Sequence, residues 1–325
     1  MFDVMVEEAK MCLGEPPQRK RKLETPVSLP PPPCPAVDED SDEEVDPVAL
    51  SKYQQQVSES GGFDVDLFFQ PFGGIIPGGC SDHSLLFGKV GLHCYNLEKG
   101  TNLQFKQVTK VNTQISSLFT FYITLEATDP FHDNSVVTFQ TCLTDTVLKH
   151  QARLRLFTTT CRIKPQVPGT GELGSFWYPD DDVDPCYKVD LPNWLQDDAL
   201  SGDDKLQFYE VYNSHVFTFF IKTNKPFFLL TQVKDWELKE NQWLYLYAEF
   251  ALFSLWEDDL SAYMPFEMRK VVVQTKEDMK LKSGNAVFYL SFKARGGPEC
   301  RGIVRRTTDG RPGHMCLETR CWIDK

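Results

Sequence analysis

The stretch Phe119-Thr-Phe-Tyr-Ile-Thr-Leu-Glu126 decides the fold, because apolar and polar side chains alternate in it with the two-residue period of a β-strand. One face of this strand carries Phe119, Phe121, Ile123 and Leu125. The pattern is typical of an antiparallel sheet with one covered and one solvated face. Similar strands are predicted around residues 136–143 and 154–163, with turn-rich sequence between them.

On the N-terminal side of this meander the apolar spacing changes to that of a helix. A helix is predicted over about 84–99, ended by Gly100, and an earlier one begins at Pro47. Gly88 and Gly91 weaken the longer helix, because glycine in a helix interior costs stability. We infer that a sheet packs close to the helix at these two positions.

The same order of elements recurs downstream, which indicates a duplicated module. An almost wholly apolar helix is expected over about 241–256. Strands are then predicted at about 269–275, 286–292, 301–307 and 314–323. Two copies of helix plus meander predict an α+β fold with two domains, each a helix packed on an antiparallel sheet.

The remaining segments set the domain boundaries. Residues 1–45 combine basic, proline-rich and acidic runs and predict a disordered arm. The first domain is expected over 46–165 and the second over 206–325. The Pro-, Gly- and Asp-rich residues 166–205 are typical of a linker between them.

The Phe-rich stretch 211–232 contains no acidic residue and differs from its charged surroundings. Joining Glu210 to Val233 gives a continuous run, so we interpret the stretch as a retained-intron insertion; a genuine inserted strand pair is the alternative. If the stretch is translated, its five phenylalanines are expected to be exposed and to favour aggregation.

Composition limits the partners and the compartment. A net charge of −12 argues against nucleic acid as a general partner, and arginines in the last segment are expected on solvated surface. No apolar run reaches the roughly 20 residues needed to span a bilayer, so no membrane association is expected. The ten cysteines are interpreted as reduced thiols of an intracellular protein, in nucleus or cytoplasm. A short basic cluster is either a nuclear import signal or a solvated part of the arm: Arg19, Lys20, Arg21 and Lys22.

No catalytic residue, cofactor or metal is predicted. Gly169–Gly174 has the spacing of a dinucleotide loop, but no helix follows it. The aspartates at 180–184 lack the glycine and glutamate of a calcium loop. His314 and Cys316 share a strand face, yet no paired cysteines complete a zinc site.

Three segments carry a resemblance to the plant cystatins: Phe87–Asn96, Leu103–Val111 with Gln114, and Tyr122–Asp129. Residues 50–325 more closely resemble an uncharacterised crucifer family, described as cystatin-related or male-sterility-five-like, which shares the run Ile303–His314. The resemblance implies two cystatin-like domains and brings no established activity.

The likeness to cystatins also implies candidate contacts with a papain-type cysteine protease. They are Gly78 and Gly79 as the N-terminal element and the hairpin Gln114, Ile115, Ser116, Ser117 and Leu118. Ser116 and Leu118 depart from the valine and glycine of the cystatin hairpin, and the second hairpin, near 145–151, lacks Pro and Trp. We therefore expect a non-catalytic protein-interaction or regulatory protein with an unknown protein partner; the alternative is a papain-type protease inhibitor.

Overall fold

The computed structural model describes residues 46–67, 74–146, 153–170, 174–188, 190–195, 207–210, 227–256, 260–276 and 280–324. The expectations for the arm at 1–45, including the basic cluster Arg19–Lys22, lie outside these residues.

Helices and strands follow the predicted order along the chain. The helices are α1 (Pro47–Ser60), α2 (Asp82–Lys99), α3 (Pro179–Asp182), α4 (Asp235–Glu240) and α5 (Leu244–Trp256). The first strands are β1 (Ile75–Gly78), β2 (Gln104–Ile115), β3 (Phe119–Asp129), β4 (Ser135–Asp145) and β5 (Arg153–Ile163). The others are β6 (Gln207–Glu210), β7 (Phe227–Gln232), β8 (Glu267–Thr275), β9 (Ala286–Lys293), β10 (Glu299–Thr307) and β11 (Met315–Ile323).

All eleven strands form one antiparallel sheet in the order β1-β2-β3-β4-β5-β11-β10-β9-β8-β7-β6. The α+β class is confirmed, but the two meanders share a single sheet. The last strands of the two meanders pair with each other, from Met315 opposite Thr158 to Arg320 opposite Arg153. We call α1, α2 and β1–β5 the first half, and α4, α5 and β6–β11 the second half.

Both long helices lie against the same face of the sheet and share one core. Helix α2 begins at the N-cap Ser81 and ends at Gly100, whose left-handed backbone closes the last turn. A Cβ added at Gly91 would lie 2.1 Å from Thr141 Oγ1, so the predicted close approach of a sheet is confirmed. Lys89 on α2 forms a 2.7 Å ion pair with Glu249 on α5.

The opposite face of the sheet is covered differently in the two halves. In the first half a small cluster of Tyr53, Val65 and Ile75 packs against Tyr122. In the second half the cover comes from residues 174–188 and 190–195, here called the covering segment. Its buried side chains are Trp177, Val183, Tyr187 and Leu191. Part of the stretch expected to be a linker thus contributes a second core.

The Phe-rich stretch enters the sheet where the structure describes it. Strand β7 pairs with β8, and its residues Phe228 and Leu230 are buried in the second core. The expected exposure of all five phenylalanines is therefore wrong at Phe228, because alternate residues of β7 face the covering segment. Residues 211–226 lie outside the described chain.

Candidate functional site

The hairpin between β2 and β3 is the predicted protease contact, and it forms a projecting apolar tip. Ile115 and Phe119 lie directly opposite each other in the register and are 53% and 39% exposed. Ser116 and Ser117 are exposed at the turn, where the Ser116 amide donates to the Leu118 carbonyl at 3.1 Å. The tip therefore presents two large apolar side chains around a small polar turn.

Gln114, at the base of this hairpin, connects it to β3 by a side-chain hydrogen bond. Its amide oxygen accepts a 3.0 Å hydrogen bond from the Tyr122 hydroxyl on β3. Burial is the main cause that raises the pKa of Tyr122 above its usual range, so the phenol keeps its proton and remains a donor. Gln114 is thus engaged with the sheet, whereas Ile115 to Phe119 form the outer surface.

The structure does not bring Gly78 and Gly79 to this hairpin. Strand β1 runs antiparallel to β2, with Ile75 opposite Gln114 and Gly78 opposite Val111. Gly78 is therefore roughly 10 Å along the strand from the hairpin, at the rise of about 3.3 Å per residue. The residue that lies beside the hairpin is Gly74, because it directly precedes Ile75.

The connection from β4 to β5 leaves the sheet at the same end. Asp145 pairs with Phe119, and the Thr146 amide donates to Arg155 at 3.0 Å. Residues 147–152, which contain most of the predicted second hairpin, lie outside the described chain. We call this end of the first half, marked by Gly74, the 115–119 tip and Thr146, the hairpin end.

A buried chain of hydrogen-bonded side chains joins α2 of the first half to α5 and β10 of the second half. His93 Nε2 on α2 lies 3.1 Å from the Tyr247 hydroxyl on α5, which accepts from Arg306 Nη1 on β10 at 3.0 Å. Burial and then the charge of Arg306 lower the pKa of His93 to about 3. Because His93 is neutral, Tyr247 can donate to it while accepting from the guanidinium.

Two of the arginines expected on solvated surface are buried instead. Arg305 and Arg306 point to opposite faces of β10, as neighbouring residues of a strand must. Arg305 forms an ion pair with the buried Glu318 on β11. Both faces are covered at this point, which strand periodicity alone could not indicate.

A serine, a histidine and an aspartate lie in a chain beside the junction, and sequence inspection did not find them. His314 Nδ1 is 2.9 Å from Asp309 Oδ2, and Nε2 is 3.3 Å from Ser175 Oγ. However, Nε2 also lies 2.8 Å from the Ser175 carbonyl oxygen, which can only accept. Nε2 therefore donates to this carbonyl and has no lone pair there with which to activate the serine.

This arrangement serves instead to attach the covering segment. The His314 ring stacks on Trp177 with ring centroids 5.1 Å apart, and Trp177 Nε1 donates to the Thr158 carbonyl at 2.8 Å. The imidazole ring lies between the Asp309 carboxylate, the Ser175 carbonyl and the Trp177 indole face. His314 thus holds the covering segment against β5 and β11.

Comparison with known proteins places the chain in a family. A UPF0725 protein of Arabidopsis thaliana is 40% identical over 300 residues, which span 86% of this chain and 77% of the relative. This chain belongs to the UPF0725 family. A second UPF0725 protein of A. thaliana is 37% identical over 312 residues, covering 91% of this chain and 96% of that protein.

Two further findings connect this UPF0725 protein to MS5. The family model described as Protein MS5 matches residues 218–317, which include β7 and part of the Phe-rich stretch. A crystal structure of MS5 from Brassica napus has a TM-score of 0.54 at 22% identity and covers 76% of this chain and 100% of that one. At that identity the likeness shows the fold alone. The predicted membership of a crucifer, male-sterility-five-like family is confirmed; the likeness of each half to cystatins stays a prediction.

The cysteines of this UPF0725 protein are buried groups of the core wherever they lie in the sheet. The eight described cysteines are free thiols, six of them buried. Burial raises the pKa of Cys142 to about 11 and that of Cys300 to about 12. Because the thiolate is the reactive form, these thiols are inert near neutral pH.

Neither a metal-binding group of side chains nor a membrane-spanning helix occurs in the described part of the chain. No three His, Cys, Asp or Glu side chains there are grouped so that they could hold a metal ion. None of the helices described is both long and apolar enough to cross a membrane.

Proposed function

We propose that this UPF0725 protein is a non-catalytic protein-interaction protein whose partner binds at the hairpin end. The observation that carries the proposal is the exposed cross-strand pair Ile115 and Phe119. A large apolar side chain gains roughly 1.5–3 kcal/mol on passing from full exposure to full burial, so each of these partly exposed side chains gains about half of that when a partner covers it. Two such side chains on a rigid hairpin provide the central contact of a small interface, since a few residues supply most of the binding energy.

The hairpin is suited to insertion into a cleft of another protein. It is anchored by the Tyr122 to Gln114 hydrogen bond, so little conformational entropy is lost when the tip is buried. The serines at the turn carry no charge that would oppose desolvation. The partner expected from this chemistry is a protein with an apolar groove, and it need not recognise any charge on the tip.

The experiment that tests the proposal uses the full chain with a photo-crosslinking amino acid in place of Ser117. A partner identified by crosslinking in crucifer tissue extract is purified, and its affinity for the unmodified chain is then measured by calorimetry. The double variant Ile115→Ser/Phe119→Ser is expected to weaken binding at least roughly tenfold, as for central contacts.

Phe131→Ser is the matched control, because Phe131 is 75% exposed in the turn between β3 and β4, at the opposite end of the same strands. This control is expected to leave the affinity unchanged. Equal affinities for all three proteins would overturn the proposal, as would the same loss in Phe131→Ser.

Inhibition of a papain-type cysteine protease is the second candidate, and one observation favours it. Three segments lie at the same end of the strands, as a three-part wedge requires: Gly74, the 115–119 tip and Thr146. Leu118 stands where cystatins have glycine, yet its φ is not positive, so the turn does not require glycine here. Titration of papain with the full chain separates the candidates: stoichiometric inhibition that is lost in the double variant supports the inhibitor, and full residual protease activity excludes it.

A further inference from the structure

A cavity of about 190 Å³ lies between the two halves, at a distance from the hairpin end. Cys94, Leu97 and Glu98 of α2 line one side, and Lys282, Arg306 and Arg311 of the second half line the other. Pockets for drug-sized ligands occupy about 300–1,000 Å³, so this cavity suits a smaller molecule. Its walls combine three cationic side chains with an apolar surface from Cys94 and Leu97.

Arg306 is the reason to expect an anion. Its side chain is fully buried, and within the described chain its hydrogen bonds go to neutral groups: the Tyr247 hydroxyl and the carbonyls of Leu281 and Ser283. Its Nε has no hydrogen-bond partner among the described residues. Burial of a charge without a counter-charge raises the free energy of the folded protein. Binding of an anion next to Arg306 is therefore favourable.

Aromatic rings offset part of the cost of burying the Arg306 charge. The guanidinium carbon lies 5.4 Å from the ring centroid of Trp243 and 5.1 Å from that of Phe288. Such contacts stabilise a guanidinium by less than the burial of its charge costs. The rings therefore hold Arg306 in place and leave its charge only partly compensated.

The other charged groups at the cavity leave a local excess of positive charge. Lys282 is exposed and forms no ion pair with a described residue, and Arg311 is exposed with its Nε 3.6 Å from Asp309. The carboxylates nearby already have partners. Glu98 accepts from the Gly313 amide at 2.7 Å and pairs with Lys99, and Asp309 Oδ2 lies 2.9 Å from His314 Nδ1.

We propose that this cavity binds a small oxyanion, a phosphate or a carboxylate, between Lys282 and Arg311 with the charge of Arg306 behind it. Phosphate and carboxylate oxygens are the acceptors that guanidinium and ammonium groups bind most strongly. Because residues of both halves line the cavity, a bound anion also stabilises their contact. The site is separate from the hairpin end and does not depend on the proposed function.

The test is calorimetric titration of the full chain with inorganic phosphate and, separately, with acetate, at constant ionic strength set with sodium chloride. Saturable binding with a Kd below roughly 1 mM is expected for at least one of them, as for charge-assisted contacts in a partly enclosed site. Binding of phosphate alone assigns a phosphoryl ligand, and binding of acetate alone assigns a carboxylate.

Variants at the exposed rim keep the test independent of folding. Lys282→Gln/Arg311→Gln is expected to weaken binding at least roughly tenfold, since both charges contact the ligand. Lys280→Gln is the matched control: it removes a charge from the same short turn, Lys280–Lys282, but from a residue outside the cavity wall. Absence of saturable binding by both anions would overturn the proposal, and so would an equal loss in the control, which would indicate diffuse surface charge.

Discussion

In the first half the glycine that lets helix and sheet approach lies on the helix, whereas in the second half it lies on the sheet. Gly91 of α2 faces Thr141 of β4, and Gly302 of β10 faces Ala251 of α5, where an added Cβ would lie 2.8 Å from the alanine Cβ. Both arrangements give the same close packing. Close packing of a helix on a sheet can therefore be reached with the glycine on either of the two packing partners.

The halves also differ in what covers the opposite face of the sheet. The first half has the small cluster around Tyr53 beneath α1, while the second half has the larger core beneath the covering segment. Helices α2 and α5 are buried to a similar degree, and the exposed residues of α2 lie only at its ends: Asp82, Glu98 and Lys99. The second half is thus enclosed by its own chain, and the first half retains the exposed hairpin end.

Of the two glycine substitutions, the larger effect is expected from Gly91→Ala in the first half. We expect a loss of about 3 kcal/mol in the free energy of unfolding, despite the roughly 1 kcal/mol that alanine gains in a helix. The added Cβ would lie 2.5 Å from the Cβ of Thr141, which cannot rotate away. Gly302→Ala is expected to cost less, about 1–2 kcal/mol, because α5 can shift by a few tenths of an ångström.

Urea denaturation measures both variants against Gly79→Ala as control. Gly79 has no heavy atom within 4 Å of an added Cβ, so its substitution is expected to change stability by less than about 0.5 kcal/mol. If Gly91→Ala were as mild as the control, the close approach of α2 to β4 would be contradicted.

Trp177→Ala tests whether the covering segment is part of the second core. Removal of this buried side chain, which also stacks on His314, is expected to cost about 3–5 kcal/mol. The neighbouring Phe176 is 55% exposed, and Phe176→Ala is expected to cost under about 1 kcal/mol. Thermal unfolding compares the two. Similar melting temperatures would mean that the segment is a linker that does not stabilise the sheet.

The contact between the halves predicts a pH dependence. The pKa of His93 is lowered to about 3 in the folded protein, chiefly by burial, so the unfolded chain binds one more proton between pH 6.5 and 3. His93 therefore contributes stability that is present above pH 6.5 and is lost as the pH falls. His93→Gln is expected to flatten this decline by about 1.4 kcal/mol per pH unit within that window.

Urea denaturation at pH 7, 6, 5 and 4 checks this expectation. Parallel curves for the wild type and His93→Gln would show that His93 is protonated in the folded protein, which is incompatible with its accepting from Tyr247.

The smallest effect is expected from deletion of residues 211–232. Joining Glu210 to Val233 moves residues 207–210 into the positions of 229–232 at the edge of β8. Phe208 then replaces the buried Leu230, so the alternation is kept and the cost is expected to stay near 1 kcal/mol. Circular dichroism and thermal unfolding of the deletion variant would measure this. A shortened chain that fails to fold would show that the longer β6–β7 hairpin is required.

The order of elements could be read from the sequence because the period of 2 in 119–126 and the stripe of α2 are local properties. That the two meanders share one sheet could not be read from the sequence. The pairing of Met315 with Thr158 depends on which strand edges remain open after each meander forms. The covering segment was hidden by its Pro, Gly and Asp content, although Trp177 and Tyr187 within it are apolar enough to be buried.

The candidate site was predictable in part. The hairpin Gln114–Leu118 lies between two strands, as expected, whereas Gly78 and Gly79 lie away from it, because the direction of an edge strand follows from its register and not from its composition. Gly74, beside the hairpin, precedes the strand. The triad-like arrangement of His314 joins residues 139 positions apart and leaves no signal in the sequence.

The pairing of β5 with β11 joins the two halves, and we expect them to unfold as one structural unit. Hydrogen exchange followed by mass spectrometry at increasing urea concentration reports the opening of β3 and β9 separately. Amides of both strands are expected to lose protection at the same urea midpoint. Protection that persists in β3 after β9 has exchanged would contradict this expectation and would show that two independent domains merely share a sheet edge.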